Sequence, residues 1–169
     1  GSEFVFESAL PEVSGDYYCK VSNMCNTVYS DTISILVKAL PEVIQNPIGA
    51  EICVGDSHEM SVTATGEQPL SYLWYRNGSA ISTETNSEII ISNAQINQTG
   101  IYFCRVANDC SYVDSEEVEL VIGTPPAISW QPINQNLCEH QTLNLIMDAQ
   151  GENYSLQWYQ NDVPISGAN

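Results

Sequence analysis

The chain has 169 residues, and its 4 basic against 21 acidic side chains give a formal charge of −17. That balance excludes nucleic-acid binding built on phosphate neutralisation, and it disfavours docking on anionic lipid headgroups. Apolar residues make up 43% of the sequence, enough for packed cores, yet no apolar run approaches the ~20 residues of a membrane span.

In chain order, the opening Gly-Ser-Glu-Phe reads as a cloning remnant, and no signal peptide follows it. The chain is therefore expected to be a segment of a larger protein. "SGDYYCKVSNMC" at residues 14–25 returns as "TGIYFCRVANDC" at 99–110, at a constant offset of 85 (Cys19 to Cys104). "PEVIQNPIGAEICVGD" from Pro41 returns at the same offset of 85 as "PAISWQPINQNLCEHQ" from Pro126. After one deletion, "LWYRNGSAIS" at 73–82 returns as "QWYQNDVPIS" at 157–166. Self-similarity of this kind marks a repeat architecture. The expected organisation is the C-terminal half of a repeat at 5–38, a whole repeat at 41–122, and the N-terminal half of another at 126–169.

The whole repeat reads as strands. "HEMSVTA" alternates, with Met60 and Val62 on one face, and "YLWYR" puts Tyr72 and Trp74 together. Asn77-Gly78 is a type I′ hairpin signal. "EIIIS" offers Ile89 and Ile91; "IYFCRVAN" offers Tyr102, Cys104 and Val106; "EEVELVI" offers Val118, Leu120 and Ile122. No window sustains a 3.6-residue period beyond a turn around Ala94–Gln98. Seven or eight short strands separated by turn signals predict an all-β antiparallel sandwich.

Gly55, Met60, Val62, Trp74, Gly100, Tyr102 and Cys104 stand where immunoglobulin-like domains place the turn before strand B, the B-strand core pair, the strand-C tryptophan and the G-x-Y-x-C of strand F. In detail the chain resembles the tandem immunoglobulin-like (I-set-like) repeats of large bacterial surface proteins of the gliding-motility-adhesin type. Those repeats share its C-x-G-D turn, W-Y-x-N-G segment and V-x-N-x-C ending. The resemblance covers residues 5–169 and implies tandem immunoglobulin-like sandwiches. Their core would hold Val62, Trp74, Ile89, Ile91, Tyr102 and Cys104, with Tyr17, Cys19 and Trp158 as the corresponding core of the flanking halves. Two departures stand out. Val62 occupies the B-strand position of the usual inter-sheet cysteine. Gln98 and Val13 replace the aspartate of D-x-G-x-Y-x-C.

Six cysteines in a strand-rich chain favour an oxidising compartment. The disulfide candidates are Cys19, Cys25, Cys53, Cys104, Cys110 and Cys138. Three outcomes stay open: a Cys53–Cys104 bridge within a domain, an interdomain bridge from a Cys53-type residue to a Cys110-type residue of the next domain, or no bridge. No C-x-x-C pair exists, and neither His58 nor His140 has a ligand at zinc-like spacing. Asp56, Ser57 and His58 carry the residue types of a nucleophilic site, but neighbours on a strand point to opposite faces. No catalytic, cofactor or metal residues are therefore assigned. Tyr75, Phe103 and Trp130 are free to face a neighbour or a ligand. Glu42, Glu51, Asp56, Glu116, Glu117 and Glu119 read as a solvated acidic face rather than a calcium hinge. Asn77, Asn97 and Asn153 begin N-x-S/T sequons.

The expected function is a non-catalytic array segment of an extracellular surface protein, extending or presenting an adhesive tip. A spacer in a secreted multidomain enzyme and an animal immunoglobulin-superfamily adhesion receptor are the alternatives. Expected partners are a protein or surface glycan, and a second copy in which residues 5–37 complete residues 126–169. Nucleic acid and membrane insertion are not expected.

Overall fold

A computed structural model describes residues 3–151 and 154–167. Short strands with two 3-10 turns make up its regular structure, and the fold is all-β. The first turn, Pro11–Val13, precedes β1 (Gly15–Tyr17), β2 (Lys20–Ser22), β3 (Thr27–Tyr29) and β4 (Ile33–Ile35). Then come β5 (Glu42–Gln45), β6 (Ala50–Cys53), β7 (His58–Ser61) and β8 (Thr63–Thr65). They are followed by β9 (Ser71–Arg76), β10 (Ser79–Ala80) and β11 (Glu88–Ile91). The second turn, Ile96–Gln98, leads into β12 (Gly100–Ala107), β13 (Tyr112–Asp114) and β14 (Val118–Gly123). Beyond it lie β15 (Ala127–Trp130), β16 (Asp148–Gln150), β17 (Tyr159–Gln160) and β18 (Val163–Pro164). The chain forms two compact units.

The first unit comprises residues 1–48, 60–89 and 101–118. Its strands run antiparallel. β9 pairs with β10 and with β12, which places Cys104 opposite Trp74 and Phe103 opposite Tyr75. β12 also pairs with β13, and β5 pairs with β8 through a bulge between Val43 and Gln45. Asn77 and Gly78, with φ of 49° and 75°, form the left-handed turn between β9 and β10 that Asn-Gly favours. β12 shows how a two-residue period builds a core: Tyr102, Cys104 and Val106 are buried while Ile101, Phe103 and Arg105 face outward. Met60, Val62, Trp74 and Ile89 are buried in this unit too. Residues 15–35 form two isolated pairs, β1 with β4 and β2 with β3.

The second unit comprises residues 49–59, 90–100 and 119–169. β6 lies parallel to β14, from Ala50 opposite Leu120 to Cys53 opposite Gly123, and the Val54 amide extends the ladder to Gly123 O at 2.9 Å. This pair departs from an all-antiparallel expectation. Ile91, Ala94, Leu120 and Ile122 are its buried side chains. Ala94 is tied on both backbone sides, donating to Asp56 O at 2.8 Å and accepting from Gly55 N at 2.9 Å. β15 pairs with β16 and β17 with β18.

Three core expectations need correction. Tyr17 and Trp158 are half-buried, and Cys19 is exposed. Among the described residues, neither 3–38 nor 126–167 contains a buried side chain. Their strands pair in twos among the described residues, and apolar side chains such as Val21, Ile35 and Leu145 are exposed. The Tyr17 hydroxyl nonetheless donates to Val13 O at 2.5 Å, the upstream backbone bond of a tyrosine corner.

Candidate functional site

The asparagine of V-x-N-x-C has a role that the sequence did not reveal. Asn108 Oδ1 accepts the amides of Cys110 (3.0 Å) and Ser111 (3.2 Å), the side-chain turn that asparagine makes readily. Asn23 does the same for Cys25 (2.8 Å) and Asn26 (2.9 Å). Asn108 has a second task. Its Nδ2 donates to Ala39 O at 2.9 Å and Glu67 O at 3.2 Å, fixing the linker Val37-Lys38-Ala39-Leu40 onto the turn. The Glu67 amide adds a bond to Ala39 O at 3.2 Å. Lys38 Nζ meets Asp109 Oδ2 at 3.0 Å, and this contact raises the lysine's pKa. An ion pair so exposed contributes little compared with the Asn108 bonds. Gly66 completes the joint: a Cβ there would lie 2.9 Å from Leu40 O and from the Pro41 Cα.

A serine recurs at the same offset. The Cys104 amide donates to Ser115 Oγ at 3.0 Å, and the Ser115 amide returns a bond to Cys104 O at 2.9 Å. Ser30 repeats this with Cys19, at 2.8 and 2.9 Å. A lone serine between two strands gives no signal in a single sequence, although its recurrence alongside the cysteines could have exposed it.

The outward face of β9, β12 and β13 carries a cation–aromatic ladder. Tyr75 and Phe103 stack with centroids 4.7 Å apart and planes at 4°. The Arg105 guanidinium sits 5.3 Å from the Tyr75 centroid and 4.1 Å from that of Tyr112. Asp114 holds it with two bonds of 2.7 and 2.8 Å and raises its pKa. Tyr75 and Phe103 are thus brought together, whereas Trp130 stands exposed on β15.

All six cysteines are free thiols. The chain thus holds no internal disulfide, the Cys53–Cys104 bridge included, and the cysteines lend no support to an oxidising compartment. Cys53 lies on β6 beside β14 with its side chain exposed, while Cys104 is fully buried. The two side chains therefore occupy opposite environments. Burial pushes the Cys104 thiol up from 9.0 to about 11, with Asp114 adding to the rise against a backbone hydrogen bond that opposes it. Because the folded pKa is the higher one, the stabilisation is complete below pH 9. It is lost as pH rises from there towards about 11. The loss should reach about 3 kcal/mol, and Cys104→Val should flatten that alkaline arm in denaturant titrations. An arm of equal slope in both proteins would refute the assignment.

Asp56 Oδ2 accepts the Cys53 amide at 3.0 Å, so its carboxylate shapes the C-x-G-D turn. Among the described residues, no three His, Cys, Asp or Glu side chains come together. Asn77, of the first sequon, accepts the Ile101 amide through Oδ1 at 2.9 Å. Asn153 lies outside the described residues. Residues 4–37 enclose an open apolar groove of about 1020 Å3, lined by Phe4, Phe6, Tyr17, Cys19, Ile33 and Ile35 among others.

Residues 41–108 match the family model of the immunoglobulin domain. Neurofascin of Gallus gallus is 29% identical over 125 residues, covering 69% of this chain and 9% of that protein. The mucosa-associated lymphoid tissue lymphoma translocation protein 1 of Homo sapiens is 26% identical over 137 residues, covering 72% of this chain and 17% of that protein. The chain thus spans a small part of these relatives' length. An I-band fragment of titin superposes with a TM-score of 0.70 at 16% identity, over 95% of this chain and 60% of that one. The chain is all-β and carries an immunoglobulin-like domain.

Proposed function

We propose that this chain is a non-catalytic segment of a tandem immunoglobulin-like array with a structural and adhesive role at a cell surface or in the extracellular space. The observation that carries the reading is the joint at Asn108, which clamps the incoming linker through backbone carbonyls. Such a joint transmits orientation from one module to the next, as a stalk requires. Pro125-Pro126 stiffens the following linker. The Tyr75–Phe103–Arg105–Tyr112 face is the candidate contact for a protein or surface glycan, since aromatic and arginine side chains are favoured at recognition surfaces. Likeness to neurofascin supports the animal adhesion reading over the bacterial gliding-adhesin one. A parent gene encoding an adjacent hydrolase would favour the enzyme-spacer reading instead.

Asn108→Ala combined with Lys38→Ala should loosen the joint without unfolding the β12 core. Spin labels at exposed Glu12 and Thr83 would read it. A narrow distance distribution in the parent chain should broaden in the variant; equal widths would remove the rigid-joint argument.

A further inference from the structure

We infer that Asn77 is an N-glycosylation site, its side-chain amide being the acceptor of an oligosaccharide. Asn77-Gly78-Ser79 is an N-x-S sequon at the tip of the β9–β10 hairpin, and all three residues are exposed. A Cβ at Gly78 would meet nothing within 4 Å, so the space beside the turn is open. The acceptor amide is also oriented. Asn77 Oδ1 accepts the Ile101 amide at 2.9 Å, while the Asn77 backbone amide donates to Ile101 O at 2.8 Å. A backbone N–H can be met only by the oxygen of an asparagine side chain, which leaves Nδ2 turned away from it. Nδ2 is the atom that takes the sugar, so attachment keeps the anchor of the turn.

The fold itself does not call for Ser79. The same turn in the following repeat is Asn161-Asp162-Val163, with Asn161 at φ 48° against 49° for Asn77, and its strands pair in the same register. Valine thus serves that turn at the position of Ser79. Ser79 Oγ makes no hydrogen bond among the described residues, whereas the hydroxyl of the Asn97 sequon, Thr99 Oγ1, accepts the Ile122 amide at 3.0 Å. The sugar donor is a polyprenyl-diphosphate-linked oligosaccharide. Nδ2 bonds to the anomeric carbon, the bond from that carbon to the diphosphate oxygen breaks, and Nδ2 gives up one proton as the lipid diphosphate leaves. Transfer of this kind reaches exported chains, so the inference rests on the extracellular reading proposed above.

The test sends the full chain through the secretory pathway of animal cells behind an export signal. Trypsin and a glutamate-specific protease together release residues 77–84, which hold Asn77 without Asn97. Trimming the glycan to one N-acetylglucosamine leaves a mass that spontaneous deamidation of Asn77-Gly78 cannot imitate. The peptide should carry that sugar in the parent chain, and so should the same peptide from the native full-length protein. Ser79→Ala should lose it, because the transferase reads the hydroxyl, and Ser79→Thr should retain it. Asn77→Gln removes acceptor and anchor together, whereas Ser79→Ala keeps the Ile101 bonds. Made without sugar in bacteria, Ser79→Ala should therefore melt with the parent chain. A bare 77–84 peptide from either source, or a sugar that survives Ser79→Ala, would overturn the inference and leave the extracellular reading standing. A native protein found neither in the medium nor on intact cells by surface biotinylation would overturn both.

Discussion

Trp74→Ala should cost about 3–5 kcal/mol, the range for truncating a fully buried aromatic. Trp74 has no solvent exposure and lies on β9 directly opposite Cys104. Its indole Nε1 also donates to Asn86 O at 3.0 Å. The variant would lose apolar burial, leave a cavity beside Cys104 and orphan that carbonyl. A domain of ~80 residues has about 5–15 kcal/mol in total, so a large share of its margin would go. The melting temperature should fall by more than roughly 12 °C, since each kcal/mol shifts a domain of this size by about 4–8 °C. Tyr159→Ala is the control, because Tyr159 is the exposed tyrosine of the second W-Y pair. Comparable losses from both substitutions would show that Trp74 does not hold the core.

Much of this architecture could be read from residue order, because the relevant signals are local. The alternation in "IYFCRVAN" assigns Tyr102, Cys104 and Val106 to one face, and those three are buried. Asn77-Gly78 specifies its turn through the positive φ that both residues tolerate. What could not be read depended on which chain segments come together. The parallel partnership of β6 with β14 joins residues far apart in sequence, so no local pattern announces it. That partnership also undoes the Cys53–Cys104 bridge, because it places Cys53 beside Gly123 with an exposed side chain. Tyr17, Cys19 and Trp158 failed as core residues for a related reason. Position in a repeat tells which face a side chain takes, and burial also requires something to cover that face. At the joint, V-x-N-x-C was visible as a pattern. The reach of Asn108 Nδ2 to Ala39 and Glu67 depends on three distant backbone segments meeting, and it was not visible.

Gly49→Ala should be the most disruptive single-methyl change in the chain. A Cβ at Gly49 would lie 2.2 Å from the backbone O of Glu119 and 3.1 Å from its carbonyl carbon and its nitrogen. These are backbone atoms of β14, which cannot swing aside as a side-chain tip can. The cost should reach or exceed the top of the roughly 1–3 kcal/mol typical of overpacking. It should fall on the β6–β14 pair, whose first register, Ala50 opposite Leu120, follows the glycine immediately. Gly123→Ala tests the far end of the same ladder. A Cβ there meets nothing within 4 Å, so this variant should melt close to the parent chain. Hydrogen exchange should separate the two, with the bonded amides of the β6–β14 ladder opening first in Gly49→Ala and staying protected in Gly123→Ala. The consequence reaches the mechanical role proposed above. Residue 49 lies on the incoming side of β6 and residue 123 on the outgoing side of β14. In a parallel pair, tension between those ends slides the strands along each other and loads the ladder bonds together. Gly49→Ala should therefore unfold at lower force than Gly123→Ala in single-molecule pulling. If both variants melt and pull alike, the close approach at Glu119 does not limit the ladder, and β6 carries no special share of the load.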